Sequence, residues 1–192
     1  MVIMGKSQNA MLIILRTFDE PPEKLFEAWI NPDIMKKWFF TSELTNIYTS
    51  SEPKVGGAFE ILDFHDEEDY YVLGKYKEID PPKKLRFTFK MPHINEAEDV
   101  IEIQIKPYES GCKMTFIQEI KIPTEVGLTE EEIETKLKEY HDQTEEGWGY
   151  IFDKLSKVLK TMREVSFYEK MLGQADLSND YFNRDSNHER NF

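Results

Sequence analysis

The stretch Thr129–Lys160, TEEEIETKLKEYHDQTEEGWGYIFDKLSKVLK, decides the architecture. Thr129 is predicted to cap a helix, and Glu132, three residues on, completes a capping-box pattern. Ile133, Leu137, Tyr140, Thr144, Trp148, Ile151, Phe152, Leu155 and Leu159 then recur at spacings of three and four, which lays them along one helical face. Unbroken, this helix is about 45 Å long at a rise of about 1.5 Å per residue. Gly147 and Gly149 mark the place where a bend or a break is expected. An apolar stripe of this length has to be covered, and the preceding residues supply the cover.

Working back toward the N-terminus, the period changes from helical to two. Met114, Phe116, Gln118 and Ile120 share one face of a strand that begins after the Pro107–Gly111 turn. Ile101, Ile103 and Ile105 alternate with Glu102, Gln104 and Lys106, and Leu85, Phe87, Phe89 and Met91 alternate with Arg86, Thr88 and Lys90. Tyr70–Ile79 reads as a strand closed by Asp80-Pro81-Pro82, and Phe59–Phe64 as another, entered through Gly56-Gly57. His65–Asp69 between them reads as a solvated hairpin loop. Residues 11–18 form a first strand, Glu23–Ile30 a short helix, and Asn31 caps a second one that starts Pro32-Asp33. Strands with one polar face joined by short turns form an antiparallel sheet that is buried on one side. The fold class is therefore α+β: a curved antiparallel sheet wrapped around a long C-terminal helix, with two short helices after the first strand. One domain spans 11–160, and 161–192 is an extension, partly helical and then a loose tail.

Charge and composition narrow the function. The 192 residues carry 37 acids and 24 bases, a formal charge of −13, and such a surface repels phosphate backbones. No nucleic-acid partner is expected. The longest apolar runs are short, as in Met11–Leu15, so no membrane insertion is expected, and the absence of a secretory pattern places the protein in the cytoplasm. The lone Cys112 allows neither an internal disulfide nor a soft-metal cluster. A monomer or weak homodimer is expected.

Few residues suggest chemistry. HExxH, G-x-S-x-G, G-x-G-x-x-G and a Walker A loop are all missing, so no catalytic residue, metal ligand or cofactor is assigned. His65 with Asp66, Glu67, Glu68 and Asp69 reads as a charged turn, and His93 and His141 stand alone in sequence. Asp63, Glu78 and His141 are the starting points for any acid–base chemistry. Among the polar strand positions Glu60, Asp63, Glu78, Gln118 and Glu119, Gln118 is the best inward candidate because it shares a face with Met114 and Phe116. Rings are more informative. With 13 Phe, 9 Tyr and 3 Trp, several elements direct aromatic groups into the same space between sheet and helix. The candidates for lining a pocket there are Trp38, Phe59, Phe87, Phe89, Phe116, Gln118, Trp148 and Phe152.

Five phrases in order carry a family resemblance: Arg16–Trp29; Asn31-Pro32-Asp33 with Lys37-Trp38-Phe39; Val55–Phe59; Gly74–Leu85; and the Gly111–Gln118 strand with Glu146-Gly147-Trp148, Phe152 and Leu155. Together they resemble the activator-of-Hsp90-ATPase homologue-like group of the START-like, SRPBCC or Bet v 1-like superfamily, which has the helix-grip fold. The resemblance implies a cavity between sheet and helix, with Trp38, Phe59, Phe89 and Trp148 on its side. It also implies a range of roles, since the superfamily includes lipid carriers, polyketide cyclases, small-molecule sensors and chaperone regulators. The expectation is a protein that binds a small hydrophobic or aromatic ligand. One alternative is a co-chaperone-like regulator of an Hsp90-type ATPase, motivated by eight acids against two bases in Thr129–Glu146. The other is a cyclase or hydrolase using the same cavity. Two segments depart from the compact family pattern, the acidic Thr129–Glu145 and the extension past Lys160, and either is placed to cover the cavity mouth or meet a partner.

Overall fold

In the computed structural model, which describes residues 8–94, 96–122 and 129–185, the alternating segments satisfy their backbone groups in one seven-stranded antiparallel sheet. The strands are β1 (Gln8–Phe18), β2 (Asn46–Ser51), β3 (Ala58–His65), β4 (Glu68–Asp80), β5 (Lys84–Phe89), β6 (Asp99–Tyr108) and β7 (Gly111–Ile122), in the spatial order β1-β7-β6-β5-β4-β3-β2. Helices α1 (Pro22–Ile30) and α2 (Pro32–Met35) follow β1, and α3 (Glu130–Asp185) follows β7. This is the helix-grip arrangement, with the sheet curved around α3. No helix among the described residues is long and apolar enough to cross a membrane.

Local chemistry explains the boundaries. Asn31 serves two helices: its N–H donates to the Glu27 carbonyl at 2.9 Å, ending α1, and its side-chain oxygen accepts from the Asp33 N–H at 3.0 Å, starting α2. Thr129 and Glu132 form the reciprocal cap of α3, with the Thr129 N–H donating to Glu132 Oε2 at 2.8 Å and the Glu132 N–H to Thr129 Oγ1 at 3.3 Å.

Four features differ from the sequence reading. Strand β2 was not anticipated; it is an edge strand whose Ile47 and Tyr48 both face solvent, so it has no alternation to read. The expected loop His65–Asp69 contracts to the two residues Asp66 and Glu67, both at positive φ (51° and 64°), the geometry that tight hairpins require. Strand β6 runs through Pro107 and Tyr108, which shortens the expected turn to Glu109-Ser110. Finally, α3 has 56 residues and passes Gly147, Gly149 and residue 160 without interruption, about 84 Å in all. Packing holds it continuous at the glycines. Trp148 and Phe152 are buried, while Arg16 on β1 donates to the Gly149 carbonyl at 3.2 Å and to Asp153 at 3.0 Å. From Arg163 to Gly173 the helix is exposed, so it leaves the sheet behind. The loose tail expected beyond Gly173, at Asp185–Asn191, is overtaken by α3, which runs to Asp185; the rest of it lies outside the described residues.

Rings fill the space between sheet and helix. Trp29 on α1 is the hub, with centroids 4.8 Å from Trp38, 5.6 Å from Phe39, 5.9 Å from Phe87 and 6.3 Å from Phe152. Its buried indole N–H has no hydrogen-bond acceptor among the described residues and sits among ring edges and faces. Gly74 admits one of these rings: a Cβ there would collide with the Phe59 ring and the Thr88 carbonyl oxygen. Because Phe152 touches Phe116, Trp148 and Trp29 at once, truncation leaves a hole that rigid neighbours cannot close. Phe152→Ala should lower unfolding stability by about 3–5 kcal/mol in urea titration; a loss below about 1 kcal/mol would show that the helix is not held by this contact.

Candidate functional site

The rings leave one side of the sheet–helix space unfilled. There a cavity of about 250 Å³ opens between the first half of α3 (Tyr140, Gln143, Thr144, Gly147, Trp148), the β5–β6 connection (Met91, Ile94, Ala97), the sheet (Phe89, Asp99, Gln118) and Phe40. Of the eight candidates from the sequence, Phe89, Gln118 and Trp148 line it. Trp38, Phe59, Phe87, Phe116 and Phe152 are buried in the ring cluster behind, where each is in contact with other rings. Asp63, Glu78 and His141 do not line it.

The floor of the cavity is a directed polar chain. Trp148 Nε1–H donates to Gln118 Oε1 at 2.6 Å, and Gln118 Nε2–H donates to Asp99 Oδ2 at 2.7 Å. An indole can only donate and an ionised carboxylate can only accept, so the amide of Gln118 has one permitted orientation. Gln118 is 2 % exposed, and a buried amide without these partners would be costly. Alternation along β7 points it inward, and register places Ile101 opposite it on β6 with Asp99 two residues away. The wall above is aromatic: Phe40, Phe89 and Trp148 have pairwise centroid distances of 5.4, 5.1 and 5.6 Å. Phe40 holds its ring there from a left-handed backbone (φ 56°), a conformation rare for a bulky residue.

Several lining residues escaped the sequence reading. Tyr140 and Thr144 were visible as members of the helical stripe but not as pocket residues. Met91 is the last apolar position of the Leu85–Met91 alternation, whereas Ile94 and Ala97 come from a connection with no periodicity and Asp99 from the first position of β6, so nothing local marked them. Gly147 stands in the sequence as a point of weakness and as part of the Glu146-Gly147-Trp148 phrase, with nothing to mark it as a lining residue.

A second polar cluster lies on β3, away from the cavity. Asp63 is 3 % exposed and accepts from Thr41 Oγ1 at 2.6 Å, with His65 Nδ1 2.6 Å from its other oxygen. Lys154 on α3 donates to the Thr41 carbonyl, tying helix to sheet at this end. The His65 ring stacks on Tyr70 at 4.0 Å, and His93 meets Tyr70 edge-on at 4.8 Å. Burial pushes the pKa of Asp63 up. Hydrogen bonds from Thr41, Thr45 and His65, and the charge of His65, outweigh burial and hold it below the usual 3.8. A carboxylate with a depressed folded-state pKa contributes its full stabilisation above the unfolded value and loses it as pH falls through the folded value. Asp63→Asn should therefore be about 1–3 kcal/mol less stable than the parent at neutral pH. The gap should close in urea titrations taken from about pH 4 downward, and a gap unchanged to about pH 2 would contradict the account.

The profile of the family described as activator of Hsp90 ATPase homolog 1-like protein matches residues 19–160. The solved structure of a protein of unknown function from Staphylococcus aureus is 30% identical, with a TM-score of 0.77 over 83% of this chain and 98% of that one. More distant likenesses bear on fold alone. A protein from Nitrosomonas europaea is 19% identical, with a TM-score of 0.61 over 79% of this chain and 95% of that one. The protein Ara h 8.0201 is 15% identical, with a TM-score of 0.60 over 80% of this chain and 99% of that one. Among curated proteins, none matches the sequence.

Proposed function

Because the chain belongs to the activator of Hsp90 ATPase homolog 1-like family, whose helix-grip fold is typical of proteins that bind small hydrophobic ligands, we propose that it binds such a ligand in the cavity beside Trp148. The observation that carries this reading is the composition of the walls: three rings in mutual contact, aliphatic groups from the β5–β6 connection, and a fixed hydrogen-bonded floor. Apolar walls with a few placed polar groups are what small-molecule sites have in common. Volume sets the ligand's size. A dry cavity of about 150 Å³ takes up benzene, so about 250 Å³ suits a body of one to two rings better than a long acyl chain. Among the described lining residues no His, Lys or Arg stands beside Asp99, and the reading adopted is binding. It includes a cytoplasmic setting, in keeping with a chain whose single cysteine, Cys112, is a buried free thiol.

Gly147 provides a test that spares the fold. It lines the cavity, and a Cβ added there meets no heavy atom within 4 Å. Gly147→Leu should therefore occupy the cavity while improving the helix by roughly 0.5–1 kcal/mol. Calorimetric titration with one- and two-ring aromatic alcohols should show saturable binding to the parent and at least about a tenfold loss in the variant, or about 1.4 kcal/mol. Absence of saturable binding to the parent would overturn the proposal.

A second reading is favoured by one feature, the acidic first half of α3, with eight acids against two bases in Thr129–Glu146. The family's name refers to an activator of a chaperone ATPase, and a basic patch on such an ATPase would complement this helix. If so, the protein should change the turnover of an Hsp90-type ATPase and form a complex that weakens with salt. Unchanged turnover together with no salt-sensitive complex would remove this reading.

A further inference from the structure

Helix α3 carries a second apolar face. The stripe that packs on the sheet runs through Leu155, Leu159 and Met162. Continued at the same spacing of three and four, it meets Ser166, Glu169, Lys170 and Gly173, and so turns polar where the sheet ends. Over those same residues Val165, Tyr168, Met171 and Leu172 recur at helical spacing on another side. Phe167 lies beside them, its ring 6.1 Å from that of Tyr168. At about 3.6 residues per turn, the centre of this face lies roughly 130° from the sheet-facing stripe. It is a separate face, turned away from the molecule's own core. The five side chains are 50–69% exposed. Together they present roughly 600 Å² of surface, at the upper end of what a monomer leaves open and most of the about 800 Å² that each partner brings to a standard interface.

Charge identifies the occupant. Just before the patch, residues 154–163 carry four bases and no acid, in a chain of net charge −13. Lys154 is drawn to the Thr41 carbonyl and Arg163 to Glu20 at 3.0 Å, whereas Lys157 and Lys160 are exposed. Just after it, residues 174–185 carry three acids and one base. Along its axis the helix is thus basic, then apolar, then acidic. A second copy laid antiparallel meets every block with its complement, whereas a parallel one sets like charge against like.

We propose that two copies of the chain associate through this face, their α3 helices antiparallel about a two-fold axis near Tyr168. Val165 then stands level with residue 171 of the second copy. Lys160 stands level with residue 176 of that copy, and Lys157 within one residue of 180. Because the face points away from the sheet, the two sheets lie on opposite outer sides of the helix pair.

Sedimentation equilibrium of the full chain over a concentration series tests this. The mass should rise to twice that of the 22.8 kDa chain, with a dissociation constant on the order of micromolar. Tyr168→Glu with Leu172→Glu, both at exposed positions, should weaken association at least about tenfold. Lys157→Glu with Lys160→Glu should weaken it about tenfold as well, and adding Asp176→Lys with Asp180→Lys to the same chain should restore it. Far-UV circular dichroism checks that α3 stays helical in each variant. Cross-linking of Tyr168→Cys by a short bismaleimide reads the axis independently, since the native Cys112 is buried. A parent chain that stays monomeric throughout overturns the proposal, and a monomer that floats with phosphatidylcholine–phosphatidylglycerol vesicles would give the face to a lipid surface instead. A dimer that Tyr168→Glu with Leu172→Glu leaves intact, that the fourfold charge reversal fails to recover, or that Tyr168→Cys fails to cross-link equally overturns it.

Discussion

The contact on which the molecule turns is made by Trp148. Its ring lies 4.5 Å from Phe116 on β7 and 5.4 Å from Phe152 one turn along α3, so it is a member of the packed core. The same indole faces the cavity on its other side and donates its N–H to Gln118. Core and site therefore share a wall. A ring at this position satisfies two demands at once, expulsion of water between helix and sheet and orientation of the buried Gln118 amide on the sheet's inner face. Neither a smaller apolar residue nor a polar one could meet both.

This shared wall explains why the cavity is lateral. Helix-grip architecture leaves a volume between sheet and helix that side chains either fill or leave open. Here Trp29, Trp38, Phe39 and Phe59 enter it from α1, the region around α2 and β3, and they meet Phe87, Phe116 and Phe152 in contact distance. Large rings pack densely here, and the Phe59 ring lies close enough to Gly74 to leave no space for a Cβ. The cavity lies beside Tyr140–Trp148 of α3, and there the lining residues become mixed in polarity.

Much of this was legible from the sequence because most of the fold is written in two periods. Inward alternation on β7 identified Gln118, and the stripe on α3 identified Trp148, Phe152, Leu155 and Leu159, all buried. The capping signatures at Asn31 and Thr129 appear as written. What could not be read has physical causes. Strand β2 is half-paired and exposed, so nothing forces a pattern on it. The glycines of α3 were read as weak points, whereas tertiary contacts on both flanks override local propensity. Periodicity also indicates that a ring is buried without telling whether it meets other rings or empty space, which is why Trp38 and Trp148 looked equivalent. Asp99 reaches the cavity only through the pairing of β6 with β7, a relation between distant segments.

All three tryptophans of the chain belong to the single ring cluster: Trp29 stands 4.8 Å from Trp38 and 6.4 Å from Trp148. At such separations, ultraviolet excitation absorbed by any one of them migrates to the others faster than it is emitted. The protein's fluorescence is accordingly a collective property of the cluster, and one of its three members borders the cavity. Any molecule that enters beside Trp148 alters the emission of the whole set, which gives the chain a built-in optical reporter of occupancy.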